Sequence, residues 1–242
     1  MSHYSQIKEY KENTNKKICH SLIKNPGEFV NASFYRHHAV RYAFNDNIGA
    51  PVHEKLQTGA KVLEFGCGTG IWTTEVATDC GIHQILPFPD NKFDYVFSRN
   101  KTDFFTKNKF QGFLFETFRV LKPGEISSQF IYNPLDALWH KEYEIDFDLI
   151  TCLEDYLQMT EKAELISSQI VKLPLGGDGL GEFACNYSVY YIKLIKEFLV
   201  PYMRILFKEY DHMVSEIENE LRDKRGEIYF KQKRVFARKK VM

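Results

Sequence analysis

Residues Lys61 to Cys80 read Lys-Val-Leu-Glu-Phe-Gly-Cys-Gly-Thr-Gly-Ile-Trp-Thr-Thr-Glu-Val-Ala-Thr-Asp-Cys, and this stretch decides the fold. Its apolar beginning, Val62 to Phe65, predicts a short buried strand, and the spacing of apolar residues from Ile71 onward predicts a helix. Three glycines at alternate positions separate the two elements. The predicted order is therefore strand, glycine turn and helix.

The glycine turn has the composition of a ligand-binding loop. Glycine suits Gly66, Gly68 and Gly70 because the backbone must turn sharply, can adopt positive φ there and lets a ligand approach closely. The helix that follows points unpaired N–H groups and its positive dipole end at the turn, which favours a carboxylate or phosphate. Glu64 can accept hydrogen bonds from loop amides or from a ligand amine. Spacing alone leaves three alternatives, namely a dinucleotide, a nucleoside cofactor or tight packing only.

Residues Val62 to Gly70 resemble the first motif of class I S-adenosylmethionine-dependent methyltransferases, whose usual form is an acidic residue followed by Gly-x-Gly-x-Gly. Three further segments occur in the order of that family. They are Leu86-Pro87-Phe88-Pro89-Asp90-Asn91, then Phe93-Asp94-Tyr95-Val96-Phe97 leading to Ser98-Arg99-Asn100, then Phe118-Arg119-Val120-Leu121-Lys122-Pro123-Gly124. Four matches in one order are far more specific than any one of them.

Two more segments resemble methyltransferase-domain proteins of early-diverging fungi. Ala50 to Leu56 has the pattern Ala-Pro-Val-x-Glu-Lys-Leu that precedes the first motif there, and Leu180-Gly181-Glu182 matches a segment after their sixth strand. The resemblance covers most of the chain after about Tyr35. We therefore expect a polar, partly helical extension over residues 1–34 and a methyltransferase-like domain over residues 35–242.

The resemblance implies an α/β fold, with a Rossmann-like sheet, helices on both faces, and a closing strand that runs antiparallel. It implies S-adenosyl-L-methionine as the cofactor and a small-molecule acceptor, and it names no catalytic residue. The scattered cysteines do not suit a zinc site, and we expect no metal. The cofactor-binding residues that it implies are Glu64, Gly66, Cys67, Gly68, Gly70 and Asn100.

The sequence departs from the family after the first helix. In the family, a second strand ends in an acidic residue that binds the ribose hydroxyls, and a helix and a third strand follow. Here only Gly81 to Ile85 separate Cys80 from Leu86, where the next motif begins. We therefore expect a sheet that lacks one or two strands at one edge.

Chain geometry supports this expectation. Neighbouring parallel strands need a crossover of roughly a dozen or more residues, whereas residues 87–92 alone separate residues 82–86 from the predicted strand Phe93–Ser98. Residues 82–86 are irregular, or pair antiparallel, or mark a place where strands are lost. In the last case the strand Lys61–Phe65 lies at a sheet edge, open to homodimer formation, aggregation or cover by the N-terminal segment.

Several polar residues are further candidates for the site. Asp79 and Asp90 lie near the distance at which nucleotide-binding units place their acidic residue, although Asp90, in Pro-Asp-Asn, also fits a plain turn. In the resembling proteins the segment that holds His37 and His38 packs beside the cofactor mouth, and both also fit an ordinary amphipathic helix. His140 is a candidate base.

Tyr143 lies near His140 in sequence, and both also fit a surface position. The glycine-rich residues 175–181 fit a mobile loop over a substrate pocket better than a second phosphate loop, since Asp178 would repel an anion. Elsewhere, periodicity predicts the following elements. They are helix 108–121 stopped by Pro123-Gly124, strand 126–132, helix 146–160, strand 165–173, two helices over 187–225 around Pro201, and a last strand 228–238.

Composition sets the remaining limits. The chain has 242 residues, of which 44% are hydrophobic, with 32 basic and 32 acidic side chains. This is enough for one substantial core, and zero net charge argues against a general attraction to nucleic acid or anionic membrane. Five scattered cysteines suit reduced thiols. Without a signal peptide or membrane span in the sequence, we expect a soluble cytoplasmic protein, with the nucleus as an alternative.

Three functions remain open from the sequence. The four motifs favour a methyltransferase that acts on a small molecule, and the missing acidic strand favours an inactive methyltransferase-like protein that serves as an interaction module or remnant. Nucleic-acid methylation is a distant third, since the chain has neither a basic face nor an Asn/Asp-Pro-Pro-Tyr motif for a flipped base.

Overall fold

A computed structural model describes residues 26–80, 88–99, 107–131, 153–223 and 228–241. The elements, in chain order, are α1 (Pro26–Phe44), α2 (His53–Gln57), β1 (Val62–Phe65), α3 (Ile71–Cys80), β2 (Phe93–Arg99), α4 (Lys107–Val120), β3 (Leu121–Ile131), α5 (Leu153–Met159), β4 (Ala163–Pro174), α6 (Leu180–Leu194), α7 (Lys196–Met203), α8 (Phe207–Asp223) and β5 (Tyr229–Lys239).

The strands form one sheet in the order β1-β2-β3-β5-β4. β1, β2 and β3 are parallel, and β5 runs antiparallel to β3. Phe65 pairs with Ser98, and Ser98 pairs with Gln129, so the carboxyl ends of the three parallel strands meet at one edge. The α/β sheet and the antiparallel closing strand that the resemblance implies are both confirmed.

Helices flank both faces of this sheet. On one face the hydrophobic core joins buried side chains of α4 and α5 to β-strand residues; its members include Phe110, Leu114, Phe118, Leu153, Leu157, Val96 and Val235. Each such side chain contributes about 1.5–3 kcal/mol on burial. Because side chains alternate along a strand, Phe97 faces the other side, where the ring of Trp72 in α3 stacks on it at 3.8 Å.

At one end of the described sheet stands β1, whose neighbour is β2. Residues 81–87, where the sequence predicts that family strands are lost, lie outside the described residues. The loss of one or two strands therefore stays a prediction.

The junction of α4 and β3 differs from the prediction. β3 begins at Leu121, directly after the helix, and Pro123-Gly124 lie inside the strand rather than before it. The register explains this, because Phe93 pairs with Leu121 whereas Tyr95 pairs with Ile126. The residues between them form an irregularity, and such a bulge accommodates a proline that cannot donate to the ladder.

The C-terminal helical region also differs from the prediction of two helices around Pro201. Its described residues form three helices, and Pro201 lies inside α7. The break after α7 falls at Arg204, which has the left-handed conformation (φ 56°, ψ 41°). A proline in the last turn removes one backbone N–H late in the helix, so the helix ends shortly after it instead of at it.

Contacts divide the chain into two compact units, one formed by residues 1–43 and 173–230 and the other by residues 44–172 and 231–242. In the first unit, the buried hydroxyl of Tyr210 in α8 donates to Ile192 O of α6 at 2.8 Å. Most of the predicted extension 1–34 lies outside the described residues. None of the described helices is long and apolar enough to cross a membrane.

Candidate functional site

The glycine turn lies at the carboxyl end of β1, between that strand and α3. Gly66, Gly68 and Gly70 all have positive φ, at 68°, 57° and 79°, which other residues adopt only with strain. The turn is closed by Gly70 N, which donates to Cys67 O at 2.9 Å. Residues 66–69 are exposed, so a ligand has access to this backbone.

The first turn of α3 is fixed to both sides of the glycine turn. The Thr73 hydroxyl donates to Glu64 Oε2, which ties the half-buried carboxylate at the end of β1 to the helix. The next residue, Thr74, donates to Gly70 O from both its backbone N and its hydroxyl, each at 2.9 Å. The turn is therefore held by its own flanking elements.

A second attachment runs from α3 to the segment that precedes α2. The buried Trp72 donates from Nε1 to Asn47 O at 2.8 Å, and Asn47 Nδ2 donates to Glu75 Oε2 at 2.8 Å. Among the described residues, no donor reaches the buried Asn47 Oδ1. A buried acceptor costs free energy until a donor reaches it, and this one lies beside the helix that begins at the glycine turn.

The segment around Asn47 is shaped by Asp46. Its carboxylate accepts from Ile48 N at 3.0 Å and Gly49 N at 2.9 Å. Burial raises the pKa of Asp46, but these backbone hydrogen bonds and the nearby His53 outweigh it and hold the pKa below its ordinary value. The charged carboxylate therefore stabilises this loop in its observed conformation.

A buried arginine lies against the same loop. Arg234 of β5 is 7% exposed, and its guanidinium lies 4.5 Å from the ring centre of Phe44 and 5.0 Å from that of Phe236. Nη2 donates to Gln169 Oε1 at 2.7 Å. Burial lowers its pKa, and Asp46 opposes that effect.

Next to it, the buried Tyr95 hydroxyl donates to Ser128 Oγ at 2.6 Å. Burial raises the pKa of Tyr95. Together these contacts form a hydrogen-bonded polar cluster on the sheet face that Trp72 covers.

The prediction that Asp90 replaces the ribose-binding carboxylate is wrong. It lies before the first residue of β2, at the amino edge of the parallel strands, whereas the glycine turn lies at the carboxyl edge. Asp90 pairs instead with Arg119 Nη1 at 2.5 Å. The adjacent Asn91 has φ 55°, as in a tight turn, so the plain turn interpretation of Pro-Asp-Asn agrees with the structure.

Several other candidates cannot be placed. Asn100, His140 and Tyr143 lie outside the described residues, and so does the side chain of Asp79. The residue before Asn100, Arg99, is the last of β2 at the carboxyl edge. The sequence-based roles of these residues stay predictions.

The two histidines of α1 lie in an aromatic environment. His37 is 1% exposed, and the His38 ring contacts Phe34 at 4.4 Å and Phe183 at 5.7 Å between ring centres. Tyr35 stacks on Tyr190 in the same unit at 5.4 Å. These contacts agree with packing positions, which the sequence left as one of two alternatives.

The glycine-rich residues after β4 line a cavity of about 250 Å³ within the first unit. Its lining residues are Gly176, Gly177, Asp178, Glu182, Cys185 and Arg222. α6 begins directly after this loop, at Leu180. Burial raises the pKa of the Cys185 thiol, and two carboxylates face the cavity, so the lining suits neither a thiolate nor a phosphate site.

Comparison with known proteins supports a methyltransferase fold. Residues 78–127 match the family model described as methyltransferase domain, and this range contains the three motifs that follow the glycine turn. No curated protein matches the chain in sequence. The family resemblance that the four motifs indicate is thus confirmed over the matched residues.

Solved structures with a similar fold include a chain of the Haloferax volcanii complex between the Trm112 methyltransferase activator and a proposed methyltransferase. It is 16% identical, with 85% of this chain and 91% of that chain covered and a TM-score of 0.50. At this identity the likeness shows the fold alone.

Two further structures are more distant in fold. Haemonchus contortus phosphoethanolamine N-methyltransferase 2, solved with S-adenosyl-L-methionine, is 15% identical over 84% of this chain, with a TM-score of 0.47. The chain spans 56% of that protein's length. A Thermotoga maritima S-adenosylmethionine-dependent methyltransferase is 15% identical, with 91% and 99% of the two chains covered and a TM-score of 0.44.

Proposed function

We propose that this chain, which has the Rossmann-like fold of class I methyltransferases, binds S-adenosyl-L-methionine at its glycine turn and transfers the methyl group to a small molecule. The observation that most directly supports cofactor binding is the glycine turn, where three glycines with positive φ expose their backbone between β1 and α3. Such a turn at a helix N-terminus recognises a carboxylate or phosphate.

The described residues fit this cofactor. The first turn of α3 faces the glycine turn with N–H groups that suit the methionine carboxylate. Glu64 is fixed by Thr73, and its carboxylate suits the amino group of the same moiety. The buried Asn47 Oδ1 accepts no hydrogen bond in the described part of the chain, and it suits an amine or hydroxyl donor of the cofactor. Sequence reasoning did not find Asn47, because an asparagine in a loop has no distinctive pattern.

The cofactor supplies a methyl group on a sulfonium that is already a strong electrophile. The work left to the chain is therefore to hold the acceptor in line with that carbon and to exclude water. Asn100, which follows β2 at the carboxyl edge, is proposed beside the reacting end of the site. His140, with Tyr143 near it in sequence, is proposed as the base where the acceptor must lose a proton.

The acceptor is proposed to be a small molecule. Equal numbers of acidic and basic side chains give no general attraction to nucleic acid, and the matched family and fold leave the acceptor open. We also propose that the protein is cytoplasmic and that it associates with itself through a sheet edge.

The test is calorimetric titration of the purified protein with S-adenosylmethionine and S-adenosylhomocysteine. We expect micromolar binding that is lost in Gly68→Arg, because the new side chain would fill the turn. Gly59→Arg is the matched control, since Gly59 also has positive φ (88°) and a Cβ there would meet nothing within 4 Å. A folded wild-type protein that releases no heat with either ligand contradicts the proposal.

The alternative is an inactive methyltransferase-like protein that serves as an interaction module. One observation favours it, namely that Asp90 lies at the amino edge and cannot take over the ribose contact. The same titration discriminates the two functions, since the inactive module would remain folded and bind neither ligand.

A further inference from the structure

The end of the sheet formed by β4 is long and exposed. β4 is the last strand in the order β1-β2-β3-β5-β4, and its residues 164–170 are all exposed. The exposed fraction is 41% for Leu165, 36% for Ile166 and 57% for Ile170. A long edge strand with exposed apolar side chains is a template on which another strand can pair.

The inner side of β4 is already occupied by β5. Lys240 N donates to Lys162 O at 2.8 Å, and Leu175 N donates to Ile228 O at 2.9 Å. These bonds join the start of each strand to the end of the other, so the two run antiparallel. In the described part of the chain no strand lies on the outer side of β4.

The sequence of the exposed strand is complementary to itself. Residues 164–172 read Glu-Leu-Ile-Ser-Ser-Gln-Ile-Val-Lys, with an acid at one end, a base at the other and no charge between them. Most exposed edges are protected by an inward charge, a proline or a bulge. Residues 165–171 contain neither a charged residue nor a proline.

Antiparallel pairing of this strand with a second copy has one register that matches both ends. When Ser168 faces Ser168 of the second copy, Glu164 faces Lys172, and Ile166 faces Ile170. In this register the paired residues have their backbone N–H and C=O groups on the same side of their strands, as an antiparallel ladder requires. Cross-strand pairs of opposite charge and of apolar side chains both stabilise a sheet.

We propose that β4 is the self-association surface of this protein, and that two copies pair their β4 strands antiparallel about Ser168 into one continuous sheet. The proposal does not depend on methyl transfer. It also assigns self-association to β4 instead of the strand that the sequence favoured, because Val62 and Leu63 of β1 are buried and that strand offers only the short segment Val62–Phe65.

Charge reversal tests the register by analytical ultracentrifugation of the full chain. Glu164→Lys would place two lysines opposite each other at both ends of the paired strands, and Lys172→Glu would place two glutamates there. Because like charges repel, each variant should weaken the dimer about tenfold. The double variant Glu164→Lys/Lys172→Glu restores both pairs and should dimerise as the wild type does. Circular dichroism checks that all variants are folded.

Crosslinking tests the same contact independently. In a Cys67→Ser background, used because Cys67 is exposed, Ser168→Cys should form an intermolecular disulfide under mild oxidation. Ser167→Cys is the control, because its sulfur faces Gln169 of the second copy and lies about 7–8 Å from its own equivalent. That separation is too long for a disulfide.

Three outcomes would overturn the proposal. One is a folded wild-type chain that stays monomeric throughout the micromolar range. Another is a double charge variant that dimerises no better than the single variants. The third is equal crosslinking at Ser167 and Ser168, which would indicate random collision of exposed strands.

Discussion

The guanidinium of Arg234 fills the space that a side chain on Gly49 would need. A Cβ placed on Gly49 would lie 2.0 Å from Arg234 Nη1 and 2.3 Å from Cζ. Gly49 also has φ 61°, which other residues adopt with strain. Asp46 fixes this loop conformation through Gly49 N, so the loop and β5 fit together only because one partner has no side chain.

Gly49→Ala should lower the free energy of unfolding by about 2–4 kcal/mol, because it adds both backbone strain and overpacking against a buried cation. Urea unfolding followed by circular dichroism measures this change. Gly59→Ala is the matched control, with φ 88° and nothing within 4 Å of the added Cβ. It should cost about 1 kcal/mol, from backbone strain alone. Equal costs would mean that Arg234 moves away freely.

Two adjacent threonines in α3 allow the fixing of Glu64 to be tested separately from a hydrogen bond at the start of the helix. Thr73→Val removes the hydroxyl that holds Glu64, and on the proposed function it should weaken S-adenosylmethionine binding about fivefold to tenfold, since a charge-assisted hydrogen bond is lost. Thr74→Val removes a neutral hydroxyl that donates to Gly70 O, to which the Thr74 backbone N also donates. It should leave the affinity within about twofold.

Calorimetric titration of both threonine variants measures these affinities, and thermal melts confirm that each is folded. The comparison is sharp because the two residues are neighbours with the same substitution. Equal losses of affinity would contradict a positioning role for Thr73.

The elements that the sequence predicted well are those whose signal is local. β1, α3 and β2 lie where apolar runs and the glycine turn indicate them, at Val62–Phe65, Ile71–Cys80 and Phe93–Arg99. The antiparallel closing strand followed from family resemblance. In each case the residues that decide the structure are adjacent in sequence.

The features that the sequence did not predict depend on residues far apart. Pro123 normally ends an element, yet it lies inside β3 because the register against β2 shifts beside it. The contact of Trp72 with Asn47 joins residues 25 apart, and nothing in either local sequence indicates it. Likewise the exposure of β4 depends on strand order, since a run such as Leu165–Val171 fits a buried strand equally well.

A partly buried ion pair beside β4 allows a further prediction. Lys233 is 5% exposed, and its Nζ donates to Glu154 Oε2 at 2.6 Å, while Ser168 Oγ donates to Glu154 Oε1 at 2.6 Å. Burial raises the pKa of Glu154, but these hydrogen bonds outweigh it and hold the pKa below its ordinary value. The Glu154 carboxylate is therefore charged at neutral pH.

Glu154→Gln should destabilise the fold by about 3 kcal/mol, because it leaves a buried ammonium without its carboxylate. Lys233→Met should cost less, and Glu154→Gln/Lys233→Met should be more stable than Glu154→Gln alone. Urea unfolding of the four proteins gives this double-mutant cycle. Additive losses would mean that the two side chains do not interact appreciably.

Asp94 links three strand ends and should make stability depend on pH. Its Oδ1 accepts from Lys122 Nζ at 2.5 Å, and its Oδ2 accepts from Lys61 N at 2.8 Å, so one carboxylate joins β2 to β3 and to the start of β1. Burial raises the pKa of Asp94, but these two hydrogen bonds outweigh it and leave the pKa below the ordinary value of 3.8.

A carboxylate whose pKa is lower in the folded than in the unfolded state stabilises the fold above the unfolded value, and that stability disappears as the pH falls through the folded value. Asp94→Asn should therefore lower the free energy of unfolding at neutral pH by about 1–2 kcal/mol. The difference in stability between the variant and the wild type should shrink as the pH falls below the ordinary pKa. Urea unfolding of both proteins across the acidic range measures this.

Asp90→Asn is the matched control, because Asp90 is largely exposed, with 69% of its side chain accessible, and exposed pairs contribute little. A constant difference between Asp94→Asn and wild type at all pH values would mean that the side chain acts through its shape and not its charge.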